Sequence, residues 1–195
     1  MESDVNERFV VWSFYCYFAL FILVEFLITR FRLGSSERGN RDHRLAIVFF
    51  LVGPFAGLFL WMYLINTGLT PARPSWPLWC LGIAIGLCGF AVRIVAKRTL
   101  GRFFTVRVQL QEGHEVVDHG IYSLVRHPLY LGLLLEWMAP PLLLGSPIGF
   151  LLVTLPNLVG ILQRIPREEA LLLEGLGERY GAYMARSKRL IPRVW

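Results

Sequence analysis

An all-α integral membrane fold of five transmembrane helices, the last two closed into a helical hairpin, is what this sequence predicts, and three observations carry the prediction. The 195 residues are 55% hydrophobic and only 17% charged, against about 25% charged in a soluble domain that must keep its surface polar. The apolar residues gather in runs long enough to cross a hydrocarbon core about 30 Å thick, which takes roughly 20 residues per helix. Of the 20 Lys and Arg, five fall in residues 30–44, five in 97–128 and seven in 164–195, the pattern of loops kept on the cytoplasmic side. Five crossings with the N-terminus outside put all three basic segments on that side. The length allows one domain, residues 1–195.

The first span, residues 9–29, is apolar except for Glu25 and follows the acidic residues Glu2, Asp4 and Glu7. It lacks a basic leading region and a small-residue cleavage site, so it reads as a retained helix and not a signal peptide. Spans 45–65 and 76–96 are each entered from a loop holding Gly, Pro, Ser or Asn. Residues 129–163 are too long for one crossing and are interrupted by Pro140, Pro141, Gly145, Ser146, Pro147 and Pro156. They divide into spans 129–144 and 148–163, with a tight turn at Gly145-Ser146-Pro147.

Several bland features accompany this plan. Cys16, Cys80 and Cys88 lie in apolar runs and are expected to be buried; an odd set of this kind gives neither a disulfide framework nor a zinc site. The pairs Gly53/Gly57 and Gly82/Gly86 allow helices of one monomer to approach closely, while the oligomeric state stays open. The net charge of +6 orients the chain and attracts anionic headgroups, and no nucleic-acid motif accompanies it. His114-Glu115 lacks the second His of a zinc-binding HExxH, and His114, His119 and His127 form no recognised ligand set, so no metal is expected.

Polar residues able to handle a charged ligand gather in two cytoplasmic segments, 97–130 and 164–195. Arg126-His127-Pro128 lies where a loop enters a membrane helix, and Pro suits the first helical turn because its missing N–H costs nothing there. The free backbone donors of that turn, an Arg and a His can receive an anion; anchoring to headgroups explains the same residues equally well. In the second segment Pro166 is expected to start a helix with Glu168 and Glu169 in its first turn, where capping or pairing with Arg164 or Arg167 accounts for both acids. Leu172, Leu173, Leu176, Tyr180, Tyr183 and Met184 recur at spacings of three and four, an amphipathic helix with a break at Gly175 or Gly177. Within the spans, Glu25 and Arg93 stand near cytoplasmic ends and are placed to snorkel, whereas Glu136, nine residues past His127, is placed to face the site.

The motifs taken together point further. In order they are His114-x-x-Val117, Gly120-Ile121-Tyr122, Arg126-His127-Pro128-x-Tyr130 opening a membrane helix, a Pro-broken apolar hairpin, Arg164-x-x-x-Glu168-Glu169, and Gly177-x-x-Tyr180-x-x-Tyr183. Over about residues 97–195 this succession resembles the isoprenylcysteine carboxyl methyltransferase family. The resemblance implies an S-adenosyl-L-methionine-dependent methyltransferase acting on a lipid-like acceptor, foremost the carboxylate of a prenylcysteine-type small molecule or protein, with membrane lipids around it. It implies cofactor contacts at His114, Glu115, Val116 and Val117, at Tyr122, at His127, Pro128, Leu129 and Tyr130, and at Glu168, with Arg164 as the catalytic-site residue at the substrate end. Arg107 stands where eukaryotic relatives carry a cofactor-contacting glutamine. Five spans, fewer than in those relatives, look like the minimal prokaryotic form, a multi-pass inner-membrane protein whose site faces the cytoplasm.

Other functions share parts of the pattern. Phospholipid N-methyltransferases and other small amine or thiol methyltransferases are similar small membrane enzymes, so the sequence leaves open which atom is methylated. Sterol-type membrane reductases share the C-terminal Arg/Glu and Gly-x-x-Tyr pattern and would use NADPH. A transporter is disfavoured, because polarity gathers at one face and not at the midplane of repeated halves.

Overall fold

The structure is a computed structural model that describes residues 7–29, 41–104 and 113–192. Arg107 and the basic stretch 30–40 lie outside the described residues. The elements are α1 (Glu7–Thr29), α2 (Arg41–Asn66), α3 (Trp76–Leu100), α4 (Pro128–Leu143), α5 (Pro147–Gly149), α6 (Leu155–Leu176) and α7 (Glu178–Arg186). Short 3₁₀ turns occupy Gly101–Phe103 and Gly120–Ser123, and a π-helical turn, Phe150–Thr154, joins α5 to α6. Among the described residues there is no β-strand, only an isolated parallel bridge between Val125 and Lys188.

Two helical stretches, Trp76–Phe103 and Pro147–Leu176, are long and apolar enough to cross a membrane, and Trp12–Leu27, Val52–Asn66 and Pro128–Leu143 are shorter apolar helices. Their outward faces carry large apolar side chains, among them Trp12, Phe59, Leu81 and Leu151, as suits helices whose surroundings are hydrocarbon. The hairpin turn falls where Gly145, Ser146 and Pro147 predict it. Gly145 takes a positive φ of 56°, and a Cβ there would lie 2.0 Å from the Arg73 carbonyl oxygen, so only glycine fits. Trp61 Nε1 donates to Ser146 Oγ at 3.0 Å, fastening the turn to α2.

Inside the bundle the core is aromatic. Trp137 of α4 meets Phe21 of α1 at 5.0 Å and Phe55 of α2 at 5.1 Å between ring centroids. Close helix approach depends on small residues at Gly57, Gly82 and Gly86, as expected, whereas at Gly53 a Cβ would make only an ordinary contact, 3.8 Å from Pro156 Cβ. A Cβ on Gly57 would stand 1.6 Å from the Leu152 carbonyl oxygen, so the π-helical turn lies directly on α2. The packing these glycines allow is within one chain.

Four expectations are corrected. Cys16, Cys80 and Cys88 are exposed, because they lie on the outward faces of α1 and α3 and not toward the core. Glu25 and Arg93 do not snorkel. Arg93 is buried and ion-paired to both Glu25 and Glu136, the latter at 2.5 Å, and Glu136, expected to face the site, is instead the fully buried third member of this triad because it reaches Arg93 on α3. Tyr17 adds a 2.6 Å hydrogen bond from its hydroxyl to the Glu136 carbonyl. Finally, Pro166 does not start a helix: α6 runs unbroken from Leu155 to Leu176 with Pro166 inside it. Ile161 and Ile165, each fully buried, offset the lost backbone hydrogen bond by packing. The expected break is at Gly177, where φ is 59°.

Candidate active site

Pro128 occupies the first turn of α4, with His127 as the preceding cap residue in a non-helical conformation. That geometry sets residues 125–127 beside the strand-like segment that follows α7. Arg126 N donates to the Lys188 carbonyl at 2.7 Å and His127 N to the Arg189 carbonyl at 3.0 Å. The Arg126 side chain completes the seam, donating to the Met184 carbonyl at 3.0 Å and to the Ser187 carbonyl. Tyr183 closes it from α7 through a 2.6 Å hydrogen bond to the Tyr122 carbonyl, and burial pushes its hydroxyl pKa up to about 12.

The uninterrupted α6 brings Glu168 and Glu169 to this seam from the other side. Glu169 is buried and accepts from Arg126 Nε at 2.9 Å and from Arg189 Nε and its terminal nitrogen at 3.0 and 2.8 Å. Its Oε1 also lies 3.3 Å from His127 Nε2. Glu168 accepts from the Tyr130 hydroxyl and stands 4.0 Å from His127 Nδ1. The His127 and Tyr130 rings stack at 5.6 Å, and the Arg164 guanidinium lies 5.6 Å from the Tyr130 ring centre.

Two further predicted residues feel the Glu168 charge. His114 packs against Phe103 at 4.7 Å between rings; burial holds its pKa below the ordinary histidine value, and Glu168 opposes that shift. Tyr122 is raised first by burial and then by Glu168. The His114 Nδ1 and the Tyr122 hydroxyl are buried without a hydrogen-bond partner. Buried polar atoms are nearly always paired, so two unpaired ones beside the Glu168 carboxylate, whose side chain is 27% exposed, suit a polar ligand bearing hydroxyl, amine or carboxylate groups.

Of the residues picked out in the sequence, His127, Tyr130, Glu168 and Arg164 are therefore drawn into one cluster, with His114 and Tyr122 at its edge. Pro128 is buried as the first residue of α4. Val116 and Val117 are half-buried, Glu115 is exposed, and Leu129 packs against the main apolar core. Sequence reasoning treated Glu169 only as the neighbour of Glu168 and passed over Arg189. Both are central to the seam. The doubled acid Glu168-Glu169 was the available signal, but the partners of Glu169 lie 20 to 43 residues away in the chain.

This is a helical, membrane-type fold carrying a buried ionic cluster, and its architecture is that of an intramembrane methyltransferase. It resembles a solved structure of the eukaryotic intramembrane Ras methyltransferase ICMT with a TM-score of 0.65 and 23% identity, over 95% of this chain and 67% of that one. The model of the isoprenylcysteine carboxyl methyltransferase (ICMT) family matches residues 82–174. Protein-S-isoprenylcysteine O-methyltransferase A of Arabidopsis thaliana is 32% identical over 70% of this chain and 71% of its own length. A probable protein-S-isoprenylcysteine O-methyltransferase of Oryza sativa subsp. indica is 30% identical over 63% of this chain, which spans 65% of it. The chain belongs to the isoprenylcysteine carboxyl methyltransferase family.

Proposed function

We propose that this protein transfers a methyl group from S-adenosyl-L-methionine to the carboxylate of a prenylcysteine-type, lipid-like acceptor. The observation that carries this reading is the cluster of Glu168, His127, Tyr130 and Arg164, with the unpartnered Tyr122 hydroxyl and His114 Nδ1 at its edge, at one end of an apolar bundle. Residues 1–195 form a single domain of five spans, with segments 97–130 and 164–195 making the site. The basic loops favour a site facing the cytoplasm, and the five-span plan, smaller than that of eukaryotic relatives, favours a prokaryotic inner membrane. Reporter fusions at positions 35, 110 and 190 are expected in one compartment; position 110 opposite 190 would separate the two segments and end the reading.

S-adenosyl-L-methionine, when bound, supplies a methyl group on a cationic sulfonium. Glu168, His127, Tyr130, Tyr122 and His114 would hold it, with Pro128, Leu129, Val116 and Val117 completing the apolar walls and Glu115 at the exposed rim. Arg164 would hold the acceptor: a planar, permanently charged guanidinium can take both oxygens of a carboxylate. The acceptor carboxylate is already ionised near neutral pH, so these residues need not remove a proton; their work is orientation and exclusion of water. The deciding experiment is calorimetric binding of S-adenosylhomocysteine, followed by methyl transfer from labelled donor to a farnesylcysteine acid in detergent. Binding of NADPH without binding of S-adenosylhomocysteine would favour a reductase instead.

A further inference from the structure

Glu169 has no part in the reading above, yet it is more deeply buried than Glu168 and faces more partners. Its Oε2 receives two hydrogen bonds from Arg189, and its Oε1 receives Arg126 Nε at 2.9 Å and faces His127 Nε2 at 3.3 Å. Both arginines are permanent donors. The imidazole is not, because a neutral ring carries its proton on either nitrogen. A lone pair on Nε2 would oppose a carboxylate oxygen, whereas an N–H there donates to it. The other nitrogen then keeps its lone pair. His127 Nδ1 stands 4.0 Å from Glu168 Oε1, beyond hydrogen-bond length, and the Tyr130 hydroxyl occupies the other Glu168 oxygen.

We propose that Glu169 is a positioning residue that fixes His127 in the Nε2–H tautomer, so that His127 Nδ1 and Glu168 Oε1 form a pair of acceptors for one donor-rich group of the ammonium class. This rests on the cofactor reading above for the identity of the ligand, but the tautomer does not depend on it. Glu169 thereby couples three distant pieces, the loop before α4, α6 and the segment after α7, to the orientation of one ring.

The test is ¹⁵N NMR of imidazole-labelled protein in detergent at about pH 8, where a free imidazole is neutral, with the His127 signals assigned by their loss in His127→Gln. The expected result is protonated Nε2 in the ligand-free wild type. Glu169→Gln, whose amide can donate where the carboxylate accepts, is expected to shift the ring toward the Nδ1–H form and to weaken S-adenosylhomocysteine binding about tenfold. Glu169→Asp is expected to restore part of the tautomer preference. Wild-type His127 protonated on Nδ1, or a tautomer unmoved by Glu169→Gln, overturns the proposal, and so does a moved tautomer with unchanged ligand affinity. Should Glu169→Gln fail to fold, the wild-type tautomer decides alone. If the tautomer is as expected but the wild type binds no S-adenosylhomocysteine, the cofactor reading falls while the role of Glu169 toward the ring stands.

Discussion

Two buried ionic clusters stand out among the described residues, and they differ in what surrounds them. The Arg93–Glu25–Glu136 triad joins three helices, α1, α3 and α4, with Arg93 and Glu136 buried and Glu25 at its partly exposed edge. The Arg126–His127–Glu168–Glu169–Arg189 cluster joins a loop, α6 and the segment after α7, and opens outward at the partly exposed Glu168. Ionic contacts inside an apolar bundle can thus do two jobs. Where every partner sits on a membrane-type helix, the pairing fixes which helices meet. Where one carboxylate stays open beside unpartnered polar atoms, the pairing shapes a place for a ligand.

Substitutions can break that contrast, beginning with the triad. Arg93→Ala strands the Glu136 carboxylate inside the bundle and is expected to cost about 3–5 kcal/mol of stability, seen as an early thermal transition in detergent. Whatever protein remains folded is expected to bind S-adenosylhomocysteine as the wild type does; a matching loss of affinity would show that the two clusters are one system.

In the open cluster the order of effects reverses. His127→Ala and Glu168→Ala are each expected to weaken S-adenosylhomocysteine binding by about 1–3 kcal/mol, tenfold to a hundredfold, with little change in the thermal transition. Calorimetry that finds both variants unchanged would return these residues to structural roles. Arg164→Lys sharpens the division of labour within the cluster. Lysine keeps the charge but loses the two-donor fork, so cofactor affinity is expected to hold while kcat/KM for a prenylcysteine-type acid falls about tenfold. Full activity in that variant would shift preference to an amine acceptor, which offers no carboxylate to hold.

The smallest effect is expected outside both clusters. Arg186 pairs with Asp118, with side chains 61% and 40% exposed, and exposed pairs contribute at most about 1 kcal/mol. Arg186→Ala is therefore expected to leave thermal stability and ligand affinity nearly unchanged. A large loss of affinity would mean that this link holds the segment after α7 over the site.

Much of the fold was legible because membrane helices obey local rules. Apolar length and the turn residues at Gly145-Ser146-Pro147 marked four helices whose ends the structure meets within a few residues, whereas the last, expected over 148–163, runs on to Leu176, where Gly177 marked the end of α6. The line of α6 through Pro166 was not legible, since a proline reads locally as a helix start, and only the burial of Ile161 and Ile165 explains its continuation. In the same way, the motif order brought out His127, Tyr130, Glu168 and Arg164, but Glu169 looked like a second capping acid.

What the sequence by itself determined is the set of apolar helices, the clustering of charge between them and the family, because each depends on composition and spacing along the chain. What only the tertiary structure decided is which charges meet. Glu136 lies nine residues from His127 yet pairs with Arg93 and Glu25, and Glu169 lies 20 residues from Arg189 yet holds it. The physical reason is that a buried charge must find a partner wherever the packed helices bring one within reach, and that reach is set by the rotation and crossing of helices, which no local pattern records.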